Sequence, residues 1–212
     1  MTDRPILFSG PMIRALLDGR KTQTRRVLKP QPQDGWHSPQ ISKALRLVSW
    51  ISGEGYVQDC RVAAHIGDRF WVREHWRAWT FLDHTKPSLM KPTEFVKYEA
   101  DGQQSHPVHP RFVPGRHRQG MHMPRWASRL TLTVTDLRVE RLQDISEADA
   151  EAEGVGSVES HMPGTKSVTC VQSFQKLWDG LNANRGFGWQ VNPWVAAYTF
   201  TVHPQNSDAE AG

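Results

Sequence analysis

Gly19-Arg20-Lys21-Thr22-Gln23-Thr24-Arg25-Arg26 joins a helical pattern to an extended one, and the rest of the chain is best read outward from it. Upstream, residues 5–8 read as a short strand, followed by Ser9-Gly10-Pro11 and an amphipathic helix with Ile13, Leu16 and Leu17 on one face. Pro11 stands where a first-turn proline is tolerated, and Gly19 where a helix commonly ends. Downstream, residues 21–28 read as a strand in which Thr22, Thr24 and Arg26 alternate against Lys21, Gln23, Arg25 and Val27. A regular period of two puts Lys21 and Thr24 on opposite faces, so joint action of the two requires a turn or bulge just after Gly19.

Further along, residues 29–55 are rich in Pro, Gln, Ser and Gly and read as a long loop with a short hairpin near 45–51. Gly67-Asp68-Arg69-Phe70-Trp71-Val72-Arg73-Glu74 is a turn leading into an aromatic, β-branched strand. Residues 80–123 show little periodicity apart from 94–98 and read as an insertion. Leu130, Leu132, Val134, Leu137 and Val139 mark one strand, or two with a bend near Asp136. Ser146 caps a short helix with Asp149 three residues on, ending near Gly154. A longer helix carries Val171, Phe174, Trp178 and Leu181, and residues 194–202 form a last strand. The pattern points to an α+β fold, a mixed barrel rather than a doubly wound sheet. One domain over residues 1–203 is expected, with insertions at about 29–55 and 80–123 and a disordered tail at 204–212.

The 212 residues carry a net charge of +4, with a sequence pI of about 9.3, and the distribution of charge matters more than the total. Arg14, Arg20, Lys21, Arg25, Arg26 and Lys29 face the single acid Asp18 within residues 14–29. Residues 102–135 contain no acid and carry Arg111, Arg116, Arg118, Arg125 and Arg129, while acids gather in 144–159. Such segregation suits either a polyanionic partner or an ordinary solvated surface. No basic start is followed by an apolar run, and none approaches the roughly 20 residues needed to span a bilayer. The expectation is a soluble, unexported, cytoplasmic protein with no membrane partner. Cys60 and Cys170 form no metal-type or redox-type pair and read as buried free thiols in a reducing compartment.

The opening segment resembles the G-x-K-T-x-T-x-R signature of ASCH domains. Other segments agree in order: residues 67–74, then Leu142-Gln143-Asp144-Ile145-Ser146-Glu147 leading into Ala150-Glu151-Ala152-Glu153-Gly154, then the aromatic last strand. Pro5-Ile6-Leu7-Phe8-Ser9, Met123-Pro124-Arg125-Trp126-Ala127-Ser128-Arg129, Leu177-Trp178-Asp179 and Asn192-Pro193-Trp194-Val195 are similar to a branch common in tailed phages and prophages. The resemblance implies a PUA-like mixed β-barrel with short flanking helices and long loop insertions. Its implied partner is nucleic acid, RNA favoured, or a modified nucleoside. One branch, the small bacterial N4-acetylcytidine amidohydrolases, has a proposed catalytic lysine, threonine and glutamate, which fall on Lys21, Thr24 and Glu153. This chain is much longer than that branch, and its insertions can cover, reshape or replace the pocket. A rival reading is a non-catalytic phage or prophage accessory module for nucleic-acid binding or particle assembly.

As the resemblance implies, Lys21, Thr24 and Glu153 would form a set able to cleave an amide on a nucleobase. The Thr24 hydroxyl is a weak nucleophile that requires a base. Lys21 serves as that base only when neutral, which burial and the cationic neighbours Arg20, Arg25 and Arg26 favour. Glu153 opposes this by stabilising the ammonium; it either holds Lys21 in place or shuttles the proton. A carboxylate in the last turn of a helix faces the negative end of the dipole, so local stability does not explain Glu153. Arg20, Arg25, Arg26, Arg73, Arg125 and Arg129 are candidate nucleic-acid contacts, and Trp126, between two arginines, is a candidate base or sugar contact. Trp71, Trp178 and Trp194 sit at core-like spacing. The histidines, His106, His109, His117 and His122 among them, lack clustered Cys or carboxylate ligands, so neither a metal nor another cofactor is expected.

Overall fold

In the computed structural model of the chain, residues 1–32, 37–42, 47–52, 54, 56–92, 94–105, 111–158 and 167–208 are described. The elements in chain order are β1 (Asp3–Leu7), α1 (Gly10–Leu17), β2 (Gln23–Val27), β3 (His37–Ser42), β4 (Leu47–Ile51) and β5 (Val57–Arg61), then β6 (Arg69–Arg73), β7 (Trp76–Arg77) and β8 (Lys97–Tyr98). They close with β9 (Thr131–Arg141), α2 (Glu147–Ala152), α3 (Cys170–Asn182) and β10 (Trp194–His203). The fold is α+β, dominated by strands. Contacts group the chain into two compact units.

The first unit takes Met1–Gly19, Asp68–Thr133 and Thr201–Gly212. In it β1 runs parallel to β6, from Asp3↔Arg69 to Leu7↔Arg73, and β6 runs antiparallel to the first residues of β9. The parallel pair needs a crossover, which the helical pattern after β1 begins. Helix α1 buries Ile13, Ala15 and Leu16, while Leu17 turns outward. Gly19 then takes φ +71, a left-handed conformation that glycine adopts without a Cβ penalty. Residues 80–123, read as an insertion of little periodicity, contribute to a hydrophobic core of Trp76, Ala78, Met90, Val96, Tyr98, Met123 and Ala127. Its anchors sit on two-residue strands and single 3₁₀ turns, so they bury without a repeating period. Where a disordered tail was expected from residue 204, Asn206 Nδ2 donates to the carbonyls of Arg125, Trp126 and Ser128 at 2.9, 3.2 and 2.7 Å. Residues 209–212 of that tail lie outside the described residues.

The second unit takes Arg20–Gly67 and Val134–Phe200. Strands β2 and β10 pair antiparallel, from Gln23↔Thr199 to Val27↔Val195. A long loop with a short hairpin near 45–51 was expected over 29–55; β4 falls on the hairpin, and with β3 and with β5, beyond residue 55, it forms a three-stranded antiparallel sheet. Its period is visible in β4, where buried Val48 and Trp50 alternate with Leu47, Ser49 and Ile51. Residue 45 of the expected hairpin lies outside the described residues. Helix α2 begins as anticipated, with Ser146 Oγ accepting from Asp149 N at 3.1 Å. Helix α3 is closed at its start by Thr169 and Gln172, whose side chains each accept from the other's backbone. The core of this unit gathers Leu142, Ile145, Ala150, Phe174, Trp178 and Val195.

Strands β9 and β10 each run through residues of both units, and the strand order of the main sheet is β1-β6-β9-β10-β2. Among the described residues this order is open, with β1 and β2 at its ends, and no closed barrel is formed. No helix of the described residues is long and apolar enough to cross a membrane.

Candidate functional site

The second unit holds the densest group of buried charges, and Lys21 is its centre. Its side chain is 0% exposed, and Nζ donates at 2.8 Å both to the backbone carbonyl and to Oε2 of Glu153. The backbones follow suit: Lys21 and Glu153 form an isolated antiparallel bridge, and Thr22 N donates to Ala152 O at 2.8 Å. Glu153 is the C-cap of α2, and Gly154 after it takes φ +88. A lysine that donates to the last carbonyl of a helix satisfies an orphan acceptor and offsets the negative end of the dipole. Lys21 thereby accounts for the carboxylate at that unfavourable position. Arg20 Nη1 adds a contact to Gly154 O at 3.2 Å.

Alternation along β2 then brings Gln23 and Arg25 to the same acids. Arg25 is buried; its Nε donates to Glu140 Oε1 at 2.9 Å and its Nη1 to Gln23 Oε1 at 2.7 Å and Glu153 Oε1 at 3.4 Å. Its Nη2 lies 2.7 Å from Glu140 Oε1 and 3.4 Å from Asp149 Oδ2. Gln23 Nε2 donates to Asp149 Oδ1 at 3.0 Å, and Arg138 Nη2 donates to the same oxygen at 2.8 Å. Three cations, Lys21, Arg25 and Arg138, thus share three carboxylates, Glu140, Asp149 and Glu153.

The protonation balance follows from burial and pairing. Burial pushes the Lys21 ammonium below its ordinary pKa; the charge and hydrogen bond of Glu153 push it back up, and Arg26 and Arg25 press it down again. Burial raises Asp149, but hydrogen bonds from Arg138, Gln23 and Ser146 and the charge of Arg138 outweigh it, and its pKa falls to about 2.

The structure brings Lys21, Arg25 and Glu153 together, and α2 and β2 position them. Thr24 is buried opposite Tyr198 in the β2–β10 register, between Gln23 and Arg25 whose side chains serve the acid cluster. The strand is regular there, so alternation turns the Thr24 side chain to the other face. Tyr198 Oη on that face accepts from Ala63 N at 2.9 Å.

A cleft of about 160 Å³ opens beside this cluster, lined by Arg25, Arg26, Lys29 and Arg185 together with Val27, Trp178, Asn182 and Phe187. Four cations and no carboxylate line it. Burial lowers the Arg26 pKa, the charges of Glu153 and Tyr198 push it back up, and like charge from Arg185 presses it down again; Lys29 Nζ sits 5.0 Å from the centre of the Phe187 ring. The Trp178 indole is spent on Phe187 O at 2.7 Å and serves packing, as its spacing implied.

The remaining predicted contacts lie in the first unit and are engaged there. Arg73 stacks 4.5 Å over the Trp71 ring and donates to Met121 O at 3.1 Å. Arg125 pairs with Asp3 and, at 2.7 Å, with Asp208. Arg129 is held by both oxygens of Glu74 at 2.8 and 2.9 Å and by Asp101 at 2.8 Å, with its guanidinium 4.0 Å over the Tyr98 ring. Trp126 is half-buried at the wall of a cavity. Arg138, Glu140 and Arg185 escaped the sequence reading: each is one charge in a strand or turn, with no local pattern to single it out. Among the described residues no group of His, Cys, Asp and Glu could hold a metal ion, and residues 106–110 of the histidine-bearing stretch lie outside them.

The chain matches no protein-family model, no curated protein and no solved structure.

The low pKa of Asp149 has a consequence for acid stability. A carboxylate whose folded pKa, about 2, lies below its ordinary 3.8 adds stability that is fully present above 3.8 and is lost as pH falls toward 2. At neutral pH the Asp149→Asn variant should therefore be less stable than wild type by about 2 kcal/mol. In urea titrations read by tryptophan fluorescence, that gap should close between roughly pH 4 and pH 2. A gap that stays constant across this window would show that the ion pairs around Asp149 do not hold its proton off.

Proposed function

We propose that this chain is an ASCH-type, PUA-like protein that binds nucleic acid through the cationic cleft of its second unit. The observation that carries the reading is that Arg26, Lys29 and Arg185 gather with Arg25 around one recess lined by no acid. Lys21, Arg25, Arg125, Arg129 and Arg138 are matched by carboxylates at hydrogen-bond distance, and on Arg26 burial and the like charge of Arg185 act against the charge of Glu153. A phosphate placed between those guanidiniums relieves their repulsion and accepts charge-assisted hydrogen bonds. The recess is small, which suits a phosphate or one nucleotide unit of a strand rather than a duplex. Phosphate is common to RNA and DNA, and the family resemblance favours RNA.

A second reading has one specific observation behind it. Lys21 and Glu153 of the proposed amidohydrolase set are in direct contact, and burial depresses the lysine pKa as a general base requires. Against it, Lys21 is fully enclosed, and strand alternation turns Thr24 away from it. Binding is therefore the leading reading and hydrolysis of an N-acyl group on cytidine the second.

Binding should depend steeply on salt. Three cations on phosphate give a log–log slope of about −2 on a single strand, so affinity for a labelled single-stranded RNA should fall about 15-fold between roughly 50 and 200 mM salt. Arg185→Glu should weaken binding at low salt about tenfold or more. A salt-independent affinity, or one indifferent to Arg185→Glu, would remove the reading. For the second reading, wild-type protein should release acetate from N4-acetylcytidine, with Lys21→Ala, Thr24→Ala and Glu153→Gln each abolishing release, since residues acting as a unit lose nearly everything on the first deletion. Folded wild-type protein that releases no acetate leaves binding alone.

A further inference from the structure

The first unit contains a cavity of about 380 Å³, within the range of small-molecule sites, about 300–1,000 Å³. Most polar groups on its wall are already spent. The Tyr98 hydroxyl donates to Ala127 O at 3.1 Å, and Ser128 Oγ donates to Val72 O and Leu130 O at 2.9 and 3.1 Å. The Asn206 amide nitrogen is shared among three carbonyls, and the Arg129 guanidinium is neutralised by Glu74 and Asp101.

Two side chains on the wall keep acceptor capacity. Gln104 Oε1 is enclosed and meets no donor. Half-buried Glu94 lines the same cavity, and among the described residues no salt bridge engages its carboxylate. The Trp126 indole forms part of the wall. Gln104 Oε1 and Glu94 both offer acceptor oxygens, and an enclosed acceptor such as Gln104 Oε1 costs about 1–3 kcal/mol until a donor arrives. The complementary ligand is therefore flat, to lie against an indole, and rich in N–H donors. A phosphate is disfavoured, because Arg129, the one arginine on the wall among the described residues, is already paired and Glu94 is negative.

We infer that this cavity is a second binding site, separate from the cationic cleft, that takes a neutral heterocycle with two adjacent N–H donors, of which the guanine edge is the natural example. The two N–H groups of that edge meet the two oxygens of one carboxylate in a bidentate, charge-assisted pair, here on Glu94, with Gln104 Oε1 accepting a further hydrogen and Trp126 stacking on the ring. Adenine and uracil offer a single donor beside an acceptor on the same edge, and an acceptor set repels the second group.

Calorimetric titration of the full chain with free nucleosides tests this site without engaging phosphate. Guanosine should bind at least about tenfold more tightly than adenosine or uridine, the margin one lost charge-assisted hydrogen bond supplies. Its affinity should not change between roughly 50 and 200 mM salt, unlike that of RNA in the cleft. Glu94→Gln, which preserves shape and replaces one acceptor oxygen with a donor, should weaken guanosine about tenfold or more, and Gln104→Met should weaken it severalfold. Trp126→Ala should also reduce affinity, with tryptophan fluorescence checking that the core it packs against remains folded. Equal affinity for all nucleosides, no binding of guanosine, indifference to Glu94→Gln, or displacement by tetramethylammonium would each overturn the assignment. Salt-dependent RNA binding would be untouched by any of these results.

Discussion

A lysine ammonium buried against the end of a helix is the constraint around which the second unit is arranged. Lys21 has no water to solvate it, so its charge is met by the carbonyl and carboxylate of Glu153. Leaving either partner uncompensated costs about 3–5 kcal/mol. The end of α2 and the start of β2 are therefore held to one relative position. From there strand alternation does the rest: Gln23 and Arg25 reach Asp149, Glu140 and Glu153, while Arg26 lies on the alternate face and lines the cleft with Lys29 and Arg185. Arg25 lines the cleft too, so the buried network and the proposed phosphate site share one residue.

Elements with a sustained period were legible in the sequence. The junction from α1 through Gly19 into β2, the aromatic β6, the long β9, the Ser146 cap and the α3 face with Phe174 and Trp178 all follow from spacing and capping residues. Of the sheet of β3, β4 and β5 only the extended segment near 45–51 was legible, because polar and turn-forming residues surround the few positions, Val48, Trp50 and Cys60, that bury. The core around Trp76, Met90 and Tyr98 was hidden for a different reason: its anchors follow no period at all. Neither unit is a continuous stretch of chain, and segments that interleave leave no linker to mark a boundary.

Charge was the most misleading signal. Arginines within the acid-free run at 102–135 read as a polyanion surface, yet Arg125 finds Asp3 and Asp208, and Arg129 finds Glu74 and Asp101, all outside or at the edge of that run. The basic run at 14–29 likewise meets the acidic run at 144–159, through Lys21 with Glu153 and Arg25 with Asp149. Segregation along the chain became pairing in space. The Lys21 and Glu153 positions were legible as a pair only through the resemblance of their segments to a known motif, and the cleft needed Arg185, whose neighbours in sequence say nothing about Arg26.

A double-mutant cycle on Lys21 and Glu153 tests the central claim most directly, with stability measured by urea unfolding for wild type, Lys21→Met, Glu153→Leu and the double variant. If the buried pair organises the second unit, each single change should cost about 3–5 kcal/mol, because it strands the opposite charge. The double variant, which strands neither, should be less destabilised than the sum of the singles by at least about 2 kcal/mol. Single changes that each cost under about 1 kcal/mol, or costs that simply add, would contradict it.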